Sequence, residues 1–292
     1  MDGRVGVLPG GFWDERGRLH RTVELRPLTG HEEELLAGGA GRDSAALVTA
    51  VLSRCLTRLG ELDPLPGDVA RQLLVADRDY LLLRLRQLTF GDHVHADLVC
   101  PWAECGEQFS IDFAVSDVPV HEAPEPAPTY TVALSDAAAA DGEREVRFRL
   151  PNGSDQETVS PWAEQDESAA LTALLRRCIL GQETAREDRV GALSPLARAE
   201  IEAAMERLGP RVERTVETSC AECGRAFTAP FDLHRFFFGE LRTDADLLYR
   251  EVHYLAFHYH WNEPEILAMS RRKRRTYIDL LAEEIERRNV EA

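Results

Sequence analysis

Four cysteines in two turns constrain this chain more than any other feature. Cys100 and Cys105 frame a C-x4-C turn before Gly106, and Cys220 and Cys223 frame a C-x2-C turn before Gly224. Thiolates this close along a chain can grip one metal ion, and the following glycine lets backbone amides approach the sulfurs. Two such turns complete a tetrahedral all-thiolate site, the arrangement of structural zinc. The expected cofactor is therefore one zinc ion held by Cys100, Cys105, Cys220 and Cys223. An iron centre of rubredoxin type uses the same ligands and stays open. A redox dithiol is the competing chemistry, but its C-x-x-C opens a helix after a strand. Here Arg225-Ala226-Phe227-Thr228-Ala229-Pro230-Phe231 follows, which reads as strand and turn. More than a hundred residues separate Cys105 from Cys220, so the pairs do not form one compact ribbon. Cys55 and Cys178 fall on apolar helix faces and read as core.

An internal duplication accounts for the long separation. Val23-Glu24-Leu25-Arg26 lies over Val146-Arg147-Phe148-Arg149 at an offset of 123 (26 to 149), and Gly30 falls on Gly153. At the same offset Leu52, Arg54 and Cys55 meet Leu175, Arg177 and Cys178. Cys105-Gly106-Glu107-Gln108-Phe109 then matches Cys223-Gly224-Arg225-Ala226-Phe227. Around this repeat the chain divides by composition. Residues 1–21 are Gly-rich and read as a tail or irregular lead-in. Residues 22–113 form the first half, with a helix over Ala45 to Leu59, further helix over Val69 to Leu88, and a strand over Val94 to Val99. Residues 114–144, with Pro119, Pro124, Pro126 and Pro128, form a linker carrying one strand near Tyr130. Residues 145–235 form the second half. Residues 236–292 are helical: Thr243-Asp244-Ala245-Asp246 suits a capping box and Asn262 a second helix start. The fold class is α+β and helix-dominated, with two strand–helix–cysteine-knuckle halves joined at one metal and C-terminal helices appended.

Charge narrows the partners. Thirty-four basic against 51 acidic residues give a net of −17, which opposes binding to nucleic acid or anionic lipid. No apolar run reaches the length of a membrane helix, and the first residues lack a secretory layout, so the expected location is the cytoplasm. Lys273 is the single lysine. It sits in the basic run Arg271, Arg272, Lys273, Arg274, Arg275, which with Tyr254, Phe257, Tyr259 and Trp261 offers charge and apolar area for docking a protein. The alternative is a zinc-stabilised regulator gripping nucleic acid through a helix-turn-helix-like segment over 262–288, but residues 236–292 themselves carry two more acidic than basic groups. His253, His258 and His260 lack a metal-ligand spacing such as HExxH. No phosphate loop, nucleophile elbow or spaced carboxylate pair is present. No enzymatic activity and no small-molecule substrate are expected.

Several stretches together resemble a known family. Leu8-Pro9-Gly10-Gly11-Phe12 and Gly17-Arg18-Leu19-His20-Arg21 lead into Val23-Glu24-Leu25-Arg26-Pro27-Leu28-Thr29-Gly30. Later come Leu88-Thr89-Phe90-Gly91-Asp92, the turn from Cys100-Pro101 to Cys105-Gly106, Phe148-Arg149-Leu150-Pro151, and the tail from Glu251 through Trp261-Asn262-Glu263 to Arg275-Thr276-Tyr277. These resemble the T-even-type phage baseplate (hub assembly) protein family, in the branch found in bacterial phage-tail-like contractile injection systems. The first cysteine turn is longer than the compact C-P-x-C-G form of that family. The resemblance implies a structural or chaperone-like baseplate component, assembled in the cytoplasm, whose partners are other baseplate or tail proteins.

Overall fold

The computed structural model describes residues 5–37, 44–139, 144–163, 165–181, 190–230 and 245–291. The N-terminal part of the chain is built on an antiparallel sheet of β1 (Val5–Trp13), β2 (Leu19–Leu25) and β3 (Leu56–Leu59). Much of the Gly-rich lead-in is thus strand rather than tail. Leu8 is fully buried and Phe12 nearly so, and burying those side chains outweighs the flexibility of the glycines between them. The register of β1 slips between Val7 and Phe12. There the amides of Gly10 and Gly11 turn away from the sheet and donate to the Asp77 carboxylate at 2.8 and 2.9 Å. A residue pair bulged out of a ladder needs such a substitute acceptor.

Helices α1 (Gly30–Ala37), α2 (Ser44–Cys55), α3 (Val69–Gln72) and α4 (Val75–Phe90) cover this sheet. The helix expected over Ala45 to Leu59 stops at Cys55, because Leu56–Leu59 pairs with β2. Leu47, Val48, Val51 and Leu52 of α2 meet Leu81, Leu82 and Leu85 of α4 in the main core. Central α4 also buries Asp77, Arg78, Asp79 and Arg86. Its buried charges must be paired, and Arg78 donates to the carbonyls of Ala45 and Ala70 and to Thr49 Oγ1.

Two hairpins carry the cysteine turns: β4 (His93–Val99) with β5 (Gln108–Ala114), and β10 (Thr215–Ser219) with β11 (Ala226–Pro230). Between them the chain lays down β6 (Val120–His121) and β7 (Tyr130–Ala133). These pair with β9 (Arg211–Val212) and β8 (Glu145–Phe148), so the Pro-rich segment is stitched to the chain that follows it. Helices α5 (Gly153–Ala163), α6 (Glu167–Cys178) and α7 (Pro195–Leu208) follow, beside a core of Val146, Leu175, Ile179 and Ile201. A third core of Leu248, Val252, Leu255, Ile266 and Leu267 joins α8 (Ala245–Tyr259), α9 (Glu263–Leu267) and α10 (Arg271–Glu291). Asn262 Oδ1 caps α9 by accepting from the Glu265 amide at 2.9 Å. Thr243 and Asp244 of the expected capping box lie outside the described residues.

Candidate metal centre

Each cysteine turn is fixed by its own backbone before any ion is considered. The Cys100 amide donates to the Glu107 carbonyl, and the amides of Cys105 and Gly106 both donate to the Trp102 carbonyl. In the second turn the Cys220 amide donates to Arg225, and the Gly224 amide to Cys220. Gly106 and Gly224 take φ of +63° and +71°, the left-handed conformation that closes each turn at least cost with glycine. The two extra residues of the first turn are absorbed by the Trp102-centred loop, and its second thiol still arrives beside the first.

The hairpins meet at their tips. Phe109 and Phe227, which trail the two turns, pack edge to face with ring centres 6.0 Å apart. Together with Leu98 and Ile111 they form a small apolar floor under the sulfurs. Arg225 ties the rims, pairing with Glu104 at 3.0 Å and lying over the Trp102 ring. All four Sγ atoms fall within 4.8 Å of one another. Cys100 and Cys223 stand 3.8 Å apart, as do Cys105 and Cys220. A tetrahedron with metal–sulfur bonds of about 2.3 Å has edges of about 3.8 Å, so the spacing fits one ion at the centre. Each close contact pairs one thiol from each hairpin, which makes the site a joint between them.

The electrostatics also favour a cation. The Cys223 amide, aimed at the Cys220 sulfur, holds that thiol down to about 7. The Glu107 amide pulls Cys105 down as well, but burial and the neighbouring thiols outweigh it and push the group up to about 12. Four sulfurs this close cannot all ionise unaided; a divalent ion removes the conflict. With four protein ligands the shell is complete, which leaves no open position for substrate. Among the described residues no other cluster of three or more histidine, cysteine or carboxylate side chains has metal-ligand spacing. His253 stacks on Phe257 and His258 packs against Tyr254 instead of converging on an ion.

The basic run is divided by the fold. Arg274 is fully buried and bridges Glu33 and Glu251 at 2.8 and 2.9 Å. Arg271 is buried too, with its guanidinium over the Phe90 ring. Only Arg272, Lys273 and Arg275 of the run are exposed. The run is therefore no continuous docking stripe, because α10 must turn one face inward and helical spacing puts Arg271 and Arg274 there. The same burial takes those two arginines out of reach of a duplex. Trp261 is half-buried, stacked on Tyr259 at 4.6 Å and edge-on to Tyr277, while Phe257 is exposed.

Sequence reasoning missed two further constellations. Arg26 forks onto Glu32 at 2.9 and 3.0 Å beside Cys55, and the Arg26 amide donates to the Cys55 carbonyl. Arg149 forks onto Asp155 beside Cys178, and its amide donates to Cys178 in the same way. The signal lay in Arg26-Pro27-Leu28-Thr29-Gly30 and Arg149-Leu150-Pro151-Asn152-Gly153, each followed two residues on by a carboxylate.

The chain matches the model of a family described as T4 bacteriophage base plate protein over residues 15–238. That span is most of the chain and includes both cysteine turns. The protein belongs to the T4 bacteriophage base plate protein family. No curated protein and no solved structure matches it. Membership carries a structural role in a phage-type baseplate and contacts with other baseplate or tail proteins. No helix among the described residues is long and apolar enough to cross a membrane. Helices α8 to α10 of this base plate protein lie beyond the matched span.

Proposed function

We propose that this base plate protein is a non-enzymatic structural or assembly component of a phage-tail-like contractile injection system, put together in the cytoplasm. Its two duplicated halves are held by one structural zinc ion at Cys100, Cys105, Cys220 and Cys223. The convergence of two sequence-distant cysteine turns onto one tetrahedral spacing carries this reading. A site that is closed, floored by phenylalanines and shared between hairpins suits a part whose task is to hold shape. The duplication is supported by the paired Arg26–Glu32–Cys55 and Arg149–Asp155–Cys178 constellations at one offset. The halves comprise residues 22–113 and 145–235, with 114–144 between them and 236–292 appended. Arg272, Lys273 and Arg275, with Trp261 at the edge, remain the contact residues we assign to a partner in the particle.

Purified assembled particles should contain this chain if it is a permanent part, and only assembly intermediates should contain it if it acts as a chaperone. Its absence from both would refute the baseplate role. Elemental analysis of protein purified without chelator should find about one zinc per chain. Stoichiometric iron would keep the site and change the ion, and neither metal would remove the centre.

A further inference from the structure

The start of α4 is one of three similarly built knobs. In the first, Leu74 precedes the helix, and the Arg78 amide, four residues on, donates back to the Leu74 carbonyl. The Arg78 guanidinium donates to Thr49 Oγ1 and the Ala70 carbonyl at 2.8 and 2.7 Å. In the second, Ser194 precedes α7. The Arg198 amide donates back to Ser194, and its guanidinium donates to Thr172 Oγ1 and the Val190 carbonyl at 3.2 and 2.9 Å. In the third, Ser270 precedes α10, the Arg274 amide donates back to Ser270, and its guanidinium donates to the Met269 carbonyl.

Two of these knobs fill two matching sockets. Leu74 bridges Asn152, and the Gly153 amide donates to the Leu73 carbonyl at 3.0 Å. Ser270 bridges Thr29, and the Gly30 amide donates to the Met269 carbonyl at 3.3 Å. Both sockets need glycine, since a Cβ at Gly153 would lie 2.1 Å from Arg78 Nη1 and one at Gly30 would lie 2.8 Å from the Leu267 side chain. The knob of the first half thus sits in the socket of the second. The knob of the second half makes no backbone bridge among the described residues; the Ser194 hydroxyl donates to the Ala138 carbonyl at 3.3 Å, and Leu196 beside it is 46% exposed. The socket of the first half is filled by α9–α10, which lies outside the family match.

We infer that α8–α10 is an internal plug, and that the socket at Thr29-Gly30 is a site for the Leu193-Ser194 knob of a second copy of this chain. The within-chain pairing of first knob and second socket is then one step of a head-to-tail series, the heterologous kind of contact that continues until something ends it. The plug ends it. Arg198 would bring to Glu33 the charge that Arg274 now supplies. Pro195 lacks the amide that Val75 donates to Pro151, so the second knob would seat without that one bond. The inference rests on the duplicated build proposed above. Halves that fail to superpose would remove that reading, whereas superposable halves with no self-association would remove this one alone.

The test uses the full chain and two plug variants, Arg274→Glu and Leu267→Glu, each also combined with Leu196→Glu. A lysine-specific protease cuts only at Lys273 and reports plug release as faster cleavage. Wild type should be monomeric by light scattering. The plug variants should keep wild-type far-ultraviolet circular dichroism, be cleaved faster and gain mass with concentration to dimer and beyond. Leu196→Glu should return them to monomer. Released variants that stay monomeric would overturn the inference. So would association that Leu196→Glu leaves intact, a plug that neither variant releases, or global unfolding, which would make α8–α10 part of the core.

Discussion

At the residue scale, buried charges separate positions that look alike in sequence. Arg274 and Arg275 are neighbours in one basic run, yet Arg274 is fully buried between two carboxylates and Arg275 side-chain atoms are about half exposed. Removing one partner of a buried ion pair costs roughly 3–5 kcal/mol, while an exposed pair contributes about 0–1 kcal/mol. Arg274→Ala should therefore lower unfolding free energy in urea by the larger amount, and Arg275→Ala should leave it nearly unchanged. Asp77 gives a pH signature. Burial pushes its carboxyl up to about 7, against the pull of the Gly10 and Gly11 amides. A folded pKa above the unfolded 3.8 means the folded state holds the proton more tightly. The stabilisation from this group is complete below pH 4 and is lost as pH rises through 7. Melting temperatures of wild type and Asp77→Asn across pH 4 to 8 should diverge in slope in that window and run parallel above it.

At the scale of elements, the corners and turns decide how strands and helices meet. Gly153 opens α5 where the Arg78 guanidinium leaves no room for a methyl group. Gly153→Ala should cost about 1–3 kcal/mol through overpacking. Gly67→Ala is the control, since nothing lies within 4 Å of its Cβ position and its φ is ordinary; its effect on urea unfolding should stay within about 0.5 kcal/mol. The α4 region was legible as helix from its leucines, but its inward Asp77, Arg78 and Asp79 were not legible as core. Composition places such residues in water, and only a central position between the bulged β1 and the segment that carries Arg214 gives each a partner. The cysteine turns were legible to the residue, because a chelating turn is a local pattern.

At the scale of the whole molecule, the cysteine joint and the sockets are two separate ways of tying distant parts together. Removing the metal ion proposed at the four cysteines should loosen the hairpin tips most. Cys220→Ser should abolish stoichiometric metal and raise hydrogen exchange across β4–β5 and β10–β11, while α2 and α4 stay protected by their own core. Protection lost uniformly across the chain would show that the joint supports the entire fold. What the sequence alone determined was the two chelating cysteine turns, the helical stretches of α2 and α4 and the acidic charge, each carried by residues near one another in the chain or by composition. What the tertiary structure decided was which arginines face inward, that the Gly-rich lead-in is a strand, and that Gly30 and Gly153 seat helix starts from elsewhere. Those outcomes depend on burial, and burial is set by segments that meet across a hundred residues or more, where no local pattern records which charge will find its partner.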